Sequence, residues 1–168
     1  MKISTKTRYA IRFLLELALF ENDASETGRL TTDIAAHKQR LSEKYLESIT
    51  PKLTGAGIIS SVRGVKGGFA LAKPASEIRV GDIMRLMESN FFVIHCNKQY
   101  QQNCVNFPDC ILEGFWENMA DTLANFANQL TLEDLKRAAL GQEPVERIPR
   151  KEPAERNPRA EFAKLIAL

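Results

Sequence analysis

Apolar residues recur at helical spacing near the start of the chain. Tyr9, Ile11, Phe13, Leu14, Leu17 and Ala18 predict a helix capped by Thr5 or Thr7 and ending near Phe20. The polar stretch Asn22–Arg29 contains Gly28 and reads as a loop. Thr31 or Thr32 then opens a short helix with Ile34 and Ala35 facing inward, and a break falls near Gln39–Leu41. Ser42 caps the next helix, whose inner stripe is Leu46, Ile49 and Leu53 and whose end is marked by Gly55 and Gly57. Pro51 falls inside that stripe. An interior proline costs about 3 kcal/mol, so a bend or an early end is expected there.

The period then changes. Ile58–Val62 and Phe69–Ala72 are short β runs flanking "RGVKGG", where Gly64, Gly67 and Gly68 supply the positive-φ positions of a hairpin tip. Ile83, Leu86 and Met87 mark a further helix opened by Gly81-Asp82. From Ile111 to Leu130 the apolar positions Ile111, Phe115, Met119, Leu123, Phe126 and Leu130 are spaced 4, 4, 4, 3, 4, a long amphipathic helix. Thr131-x-x-Asp134 resembles a capping box with an acid in place of the usual Glu or Gln. Four of the seven prolines fall after residue 140 among alternating charges, a composition expected to be disordered.

The expected architecture is mainly α with a small β-hairpin wing: a winged helix-turn-helix domain over 1–80, a cysteine loop and long dimerisation helix over 81–140, and a tail over 141–168. In that order of elements the second helix of the pair enters a DNA major groove with its N-terminal residues against base edges. Those residues are Ser42, Glu43, Lys44, Tyr45, Glu47 and Ser48; Arg63 and Lys66 on the wing can reach a neighbouring minor groove. The plain alternative is an α+β packing whose charges form a solvated face. Charge distribution favours the first reading: residues 1–79 carry 13 Lys/Arg against 8 Asp/Glu, and residues 80–140 carry 4 against 8, within a net +2 for 168 residues.

Three stretches carry a family resemblance: "MKISTKTRYA", "LSEKYLESI" and "AGIISSVRGVKGGFALAKPASEI". "GDIMRLME" and "QLTLEDL" extend it to about residue 140. They resemble the IscR/NsrR-type (Rrf-type) family of bacterial winged helix-turn-helix transcription regulators, also close to CymR. The resemblance implies a homodimer held by long helices crossing antiparallel, bound to a palindromic promoter site on double-stranded DNA. It carries DNA contacts to Ser42, Lys44, Tyr45, Glu47 and Ser48, with Arg63 in the minor groove.

All three cysteines fall in one polar stretch, "IHCNKQYQQNCVNFPDC", as C-x7-C-x5-C. Asn, Gln, Lys and Asp around them are not core composition, and three soft ligands within 15 residues suit a metal or an iron–sulfur cluster. Unligated thiols stay open on pattern alone. Pro108-Asp109 opens a helix, so Cys110 is expected at a helix N-terminus, where thiolate is favoured. The resemblance implies that Cys96, Cys104 and Cys110 hold a [2Fe–2S] or [4Fe–4S] cluster; relatives commonly space them C-x5-C-x5-C, so the first interval here is two residues longer. Where IscR-like relatives place a fourth-ligand histidine this chain has Glu113, expected to share a helical face with Cys110. Where NsrR-like relatives place an aspartate it has Arg8.

The leading reading is a DNA-binding regulator sensing iron–sulfur, nitric oxide or redox status. The alternative is a cluster-free thiol- or zinc-based regulator of the same fold. An electron carrier leaves the Ser42 helix and Arg63 wing unexplained. An enzyme is disfavoured because the two histidines, His37 and His95, form no nucleophile–base pattern. With no signal-like N-terminus and no apolar run near the roughly 20 residues that span a bilayer, no membrane association and a cytoplasmic location are expected.

Overall fold

Ser4, not Thr5 or Thr7, caps the first helix. The computed structural model describes residues 3–21, 29–40, 42–64, 67–88, 104, 106, 110 and 112–142. Helix α1 spans Thr5–Phe20, and the Ser4 hydroxyl accepts from the Thr7 N–H at 3.3 Å. The displaced cap has a cause: Thr7 is wholly buried, its side chain turned to a partner far away in sequence. Ala10, Phe13, Leu14, Leu17 and Ala18 form the buried face of α1; of the expected stripe Phe13, Leu14, Leu17 and Ala18 are buried, while Tyr9 and Ile11 are partly buried at its margins.

Helix α2, Thr32–Gln39, starts at Thr31 and buries Ala35 and Ala36. Ile34, expected to face inward, is 43% exposed; at two turns this helix needs only the alanine edge to reach the core. Arg40 breaks it in the left-handed region at φ 52, the only positive-φ non-glycine among the described residues. Helix α3, Glu43–Gly55, buries Leu46, Ile49 and Leu53 as expected. It neither stops nor shortens at Pro51, which sits on the exposed side. Its end is a Schellman motif. The N–H of Ile58 donates to the Leu53 carbonyl and that of Gly57, at φ 65, to Thr54, both at 3.0 Å. Leu53 and Ile58 are both buried, the apolar contact that accompanies such a cap.

Strands β1 (Ile59–Val62) and β2 (Gly68–Leu71) pair antiparallel, Ile59 opposite Leu71 and Val62 opposite Gly68. At the tip a Cβ on Gly67 would sit 2.7 Å from the Gly64 carbonyl oxygen, so only glycine fits. Leu30, the residue after the predicted loop, adds an isolated antiparallel bridge to β2: Leu30 and Phe69 exchange backbone bonds of 2.9 and 2.8 Å. Residues 22–28 lie outside the described residues.

Helix α4, Val80–Met87, begins one residue before the expected Gly81-Asp82, with Arg79 as N-cap. Helix α5, Glu113–Gln129, is shorter than the Ile111–Leu130 stripe. Val80, Met84 and Ala127 form a small cluster joining α4 to α5, and Arg85 donates to Asn128 at 2.7 Å. Two backbone bonds close the pair. Val80 N–H meets the Leu130 carbonyl and Leu132 N–H the Ile78 carbonyl, each at 2.8 Å. Helix α6, Leu132–Ala139, opens on the expected box. Asp134 accepts from the Thr131 N–H and hydroxyl, and Thr131 accepts from the Asp134 N–H. The described residues up to Lys136 form one compact unit. Residues 137–142 belong to a second, ending in a left-handed Gly141 whose N–H meets the Ala138 carbonyl. The tail beyond residue 142 lies outside the described residues. No helix among them is long and apolar enough to cross a membrane.

Candidate nucleic-acid interface and cysteine segment

The N-terminal turns of α3 present a row of polar side chains. Ser42, Glu43, Lys44, Glu47 and Ser48 are all exposed, because the opposite face of the helix is consumed by Leu46, Ile49 and Leu53. Ser42 does not spend its hydroxyl on a cap; its carbonyl takes the N–H groups of Tyr45 and Leu46. The Ser48 hydroxyl donates to the Tyr45 carbonyl at 2.7 Å. Tyr45 differs from its neighbours: it is half-buried, its ring edge-on to Tyr9 of α1, centroids 5.2 Å apart. Its ring therefore ties the helix to α1. Arg63 stands exposed where β1 leaves the sheet, immediately before the glycine tip. Lys66 lies outside the described residues.

Wing and helix meet the same support. Phe69 of β2 lies edge-on to Phe13 of α1, centroids 5.8 Å apart.

The cysteine segment is described only in part. Cys104 is exposed and Cys110 half-buried; Cys96 and His95 lie outside the described residues. Cys110 does not sit in α5. That helix starts at Glu113 with Leu112 as its N-cap, so residues 110 and 113 are joined by a turn, the Glu113 N–H donating to the Cys110 carbonyl at 3.2 Å. The expected shared helical face is replaced by this i to i−3 closure. Among the described residues no three His, Cys, Asp or Glu side chains converge on a metal position. The donor chemistry of Cys104 and Cys110 fits soft-metal or cluster ligation, which takes thiolate sulfur.

One contact near this segment had no local signal. Glu88, the residue after α4, accepts at one carboxylate oxygen from the Ser4 N–H at 2.8 Å and the Thr7 hydroxyl at 2.6 Å. In a capping box the acid comes from the third helical residue. Here that residue is Thr7, and the acid arrives from 84 positions away. A cap serine lacking its acid partner was the one available clue. Hydrogen bonds from Ser4, then Thr7, hold the Glu88 carboxyl below the usual carboxylate range, against a smaller opposing effect of burial.

A family model described as "Iron-dependent Transcriptional regulator", Rrf2, matches residues 3–138. The chain is 33% identical over 135 residues to the HTH-type transcriptional regulator IscR of Escherichia coli O1:K1, covering 80% of each. Its fold is similar to that of CymR (YrzC), the global cysteine regulator of B. subtilis, with a TM-score of 0.67 and 29% identity, covering 81% of this chain and 96% of that one. It is equally similar to IscR of T. potens, with a TM-score of 0.67 and 28% identity, covering 85% and 92%.

Removing the borrowed cap strands a buried hydroxyl. Glu88→Ala is expected to cost about 1–2 kcal/mol of unfolding free energy at neutral pH. The Glu88 pKa is lowered by folding, so its contribution is present above the unfolded value of about 4.3 and is lost as pH falls through the lowered folded value. Denaturant melts of wild type and variant from neutral pH downward should converge in acid. Identical midpoints at neutral pH would remove Glu88 from the cap.

Proposed function

The chain belongs to the Rrf2 family of transcriptional regulators, as do its curated relatives, which are regulators and not enzymes; on that premise we propose the finer reading. The protein is a homodimer that binds a palindromic promoter site, with α3 in the major groove and the wing beside it, and reports iron–sulfur, nitric oxide or redox status through a cysteine-held cluster. The observation that carries it is the exposed row Ser42, Lys44, Glu47 and Ser48 on a helix whose other face is fully buried. Such a row can do nothing for the core. Lysine and serine suit phosphates, and glutamate accepts from cytosine N4. Arg63 then lies where a flanking minor groove would pass.

The dimer reading is supported by α5. Leu112, Phe115 and Phe126 are half or more exposed, while only Ala127 of the helix is buried, and Phe115 rests edge-on against Trp116. Large apolar side chains left in water along one helix are what a partner helix would cover.

Cys96, Cys104 and Cys110 would hold the cluster, with Glu113 as the fourth ligand. When bound, the cluster supplies a redox- and nitric-oxide-reactive centre. Cys110 and Glu113 bracket the turn into α5, so what happens at these ligands bears directly on the start of the dimer helix. The likeness to a cysteine regulator supports a second reading, in which the same thiols bind zinc or are oxidised directly.

Three experiments test these assignments. On a duplex selected by the wild-type protein, Ser48→Ala or Glu47→Ala should change base preference at about 1–3 kcal/mol per lost contact. Arg63→Ala should instead weaken binding at A·T-rich flanks; equal binding by Arg63→Ala and wild type across about 50–200 mM salt would dismiss the wing. Met119→Glu with Leu123→Glu should yield a monomer in light scattering, because it drives charge into the apolar face; a persisting dimer would put the interface elsewhere. Anaerobic reconstitution of Cys96→Ala, Cys104→Ala, Cys110→Ala and Glu113→Ala, assayed for iron, sulfide and visible absorption, should show loss for each cysteine and a shorter cluster lifetime in oxygen for Glu113→Ala. A colourless wild type that binds zinc would favour the second reading.

A further inference from the structure

Two residues of α1, Arg12 and Glu16, lie one turn apart on the same face and converge on a single residue, Gln39, the last of α2. Arg12 Nε donates to the Gln39 side-chain oxygen at 2.7 Å, and Arg12 Nη2 to the Gln39 backbone carbonyl at 3.0 Å. The Gln39 amide nitrogen in turn donates to the Glu16 carboxylate. Lys38 adds its ammonium 4.0 Å from the other Glu16 oxygen and 5.5 Å over the Phe20 ring. Both ends of the Gln39 side chain and its carbonyl are therefore held from α1.

Gln39 is the last helical residue before the turn into α3. Its neighbour Arg40 is in the left-handed region, a conformation that costs an ordinary side chain about 1–2 kcal/mol. Two residues later Ser42 occupies the N-cap position of α3. The Gln39 carbonyl is one of the four that a helix leaves unpaired at its C-terminus, and a guanidinium there also meets the negative end of the helix dipole. The clamp thus fixes the end of α2, immediately before the left-handed Arg40 from which the chain leaves toward the reading helix. Base-edge contacts tolerate only a fraction of an ångström and some 10–20° of misplacement, roughly.

We infer that Arg12 is a positioning residue for DNA recognition: it does not touch DNA, but by forking onto Gln39 beside Glu16 it sets the entry of α3 into the groove. This rests on the assignment of the α3 row to base edges. The bonds are exposed, and exposed pairs contribute little to global stability. Loss of the clamp should therefore appear in recognition while the melting temperature barely moves, as expected of a local opening rather than a global one.

The test uses the full chain and fluorescence anisotropy on two duplexes: one selected by the wild-type protein from a random pool, and a scrambled duplex of the same composition. Arg12→Ala should bind the selected duplex roughly tenfold more weakly, the scale of one base contact. Its affinity for the scrambled duplex, and its slope of log affinity against log salt, should match wild type. Arg12→Lys should not restore affinity, because an ammonium is a point charge that cannot fork onto Oε1 and a carbonyl together. Gln39→Ala, which leaves Arg12 in place and serves if Arg12→Ala folds poorly, should reproduce the loss, and the double variant should add nothing to it. Wild-type affinity in Arg12→Ala overturns the inference. So does a loss on both duplexes with the slope reduced by about one and rescue by lysine, which identifies a direct phosphate contact. A wild type that selects no sequence overturns the α3 assignment and the clamp with it. A selected site bound equally by wild type and Arg12→Ala overturns the clamp alone.

Discussion

The burial of one face of α1 is the constraint on which the rest of residues 3–136 depends. Phe13 is wholly inaccessible, and around it α1 touches α2, α3, α4 and β2. Burying such a side chain contributes about 1.5–3 kcal/mol. Its larger consequence is geometric: Phe69 of the wing and Tyr45 of α3 both end on α1, through Phe13 and Tyr9. The proposed DNA surface is thus not carried by two independent arms. One helix, through two aromatic side chains a single turn apart, supports both the Ser42 row and the hairpin that carries Arg63. The polar side of the same helix reaches α2 through Arg12 and Glu16.

Much of this was legible because it is local or periodic. Leu46, Ile49 and Leu53 announce their face by spacing, Gly57 and Gly67 their turns by the absence of a side chain, and Thr131 and Asp134 their cap by an interval of three. What failed to show depends on contacts between distant residues. A single rung at Leu30 has no alternation to detect, and Asn22–Arg29 reads as pure loop. Glu88 caps a helix whose serine is 84 positions away. Ile34 lies on a helix so short that one alanine edge satisfies the core, leaving the larger residue outside. Pro51 is tolerated because it falls on the solvent side of α3, where a missing N–H is not buried. The expected helix start near Cys110 missed the true start of α5 at Glu113, because Pro108-Asp109 signals a helix opening without fixing its first turn.

The Glu88 contact joins the start of α1 to the end of α4. Ser4 and Thr7 open the helix that supports the proposed DNA surface, and Glu88 is the last described residue before the segment containing Cys96. A carboxylate at a helix N-terminus is favoured by the dipole as well as by its hydrogen bonds. The acid is ionised well below neutral pH, so the link is present under ordinary conditions and is not itself a neutral-pH switch.

The paired bonds between Ile78–Val80 and Leu130–Leu132 have a further consequence. They pin the two ends of everything between them side by side, so the chain from α4 through the cysteines to α5 is a closed circuit with fixed terminals. The entropy of closing such a circuit rises only as the logarithm of its length, so two added residues shift it by well under about 0.1 kcal/mol. The ligand spacing is therefore nearly free to drift. The seven-residue interval between Cys96 and Cys104 thus adds almost nothing to the cost of closing the circuit.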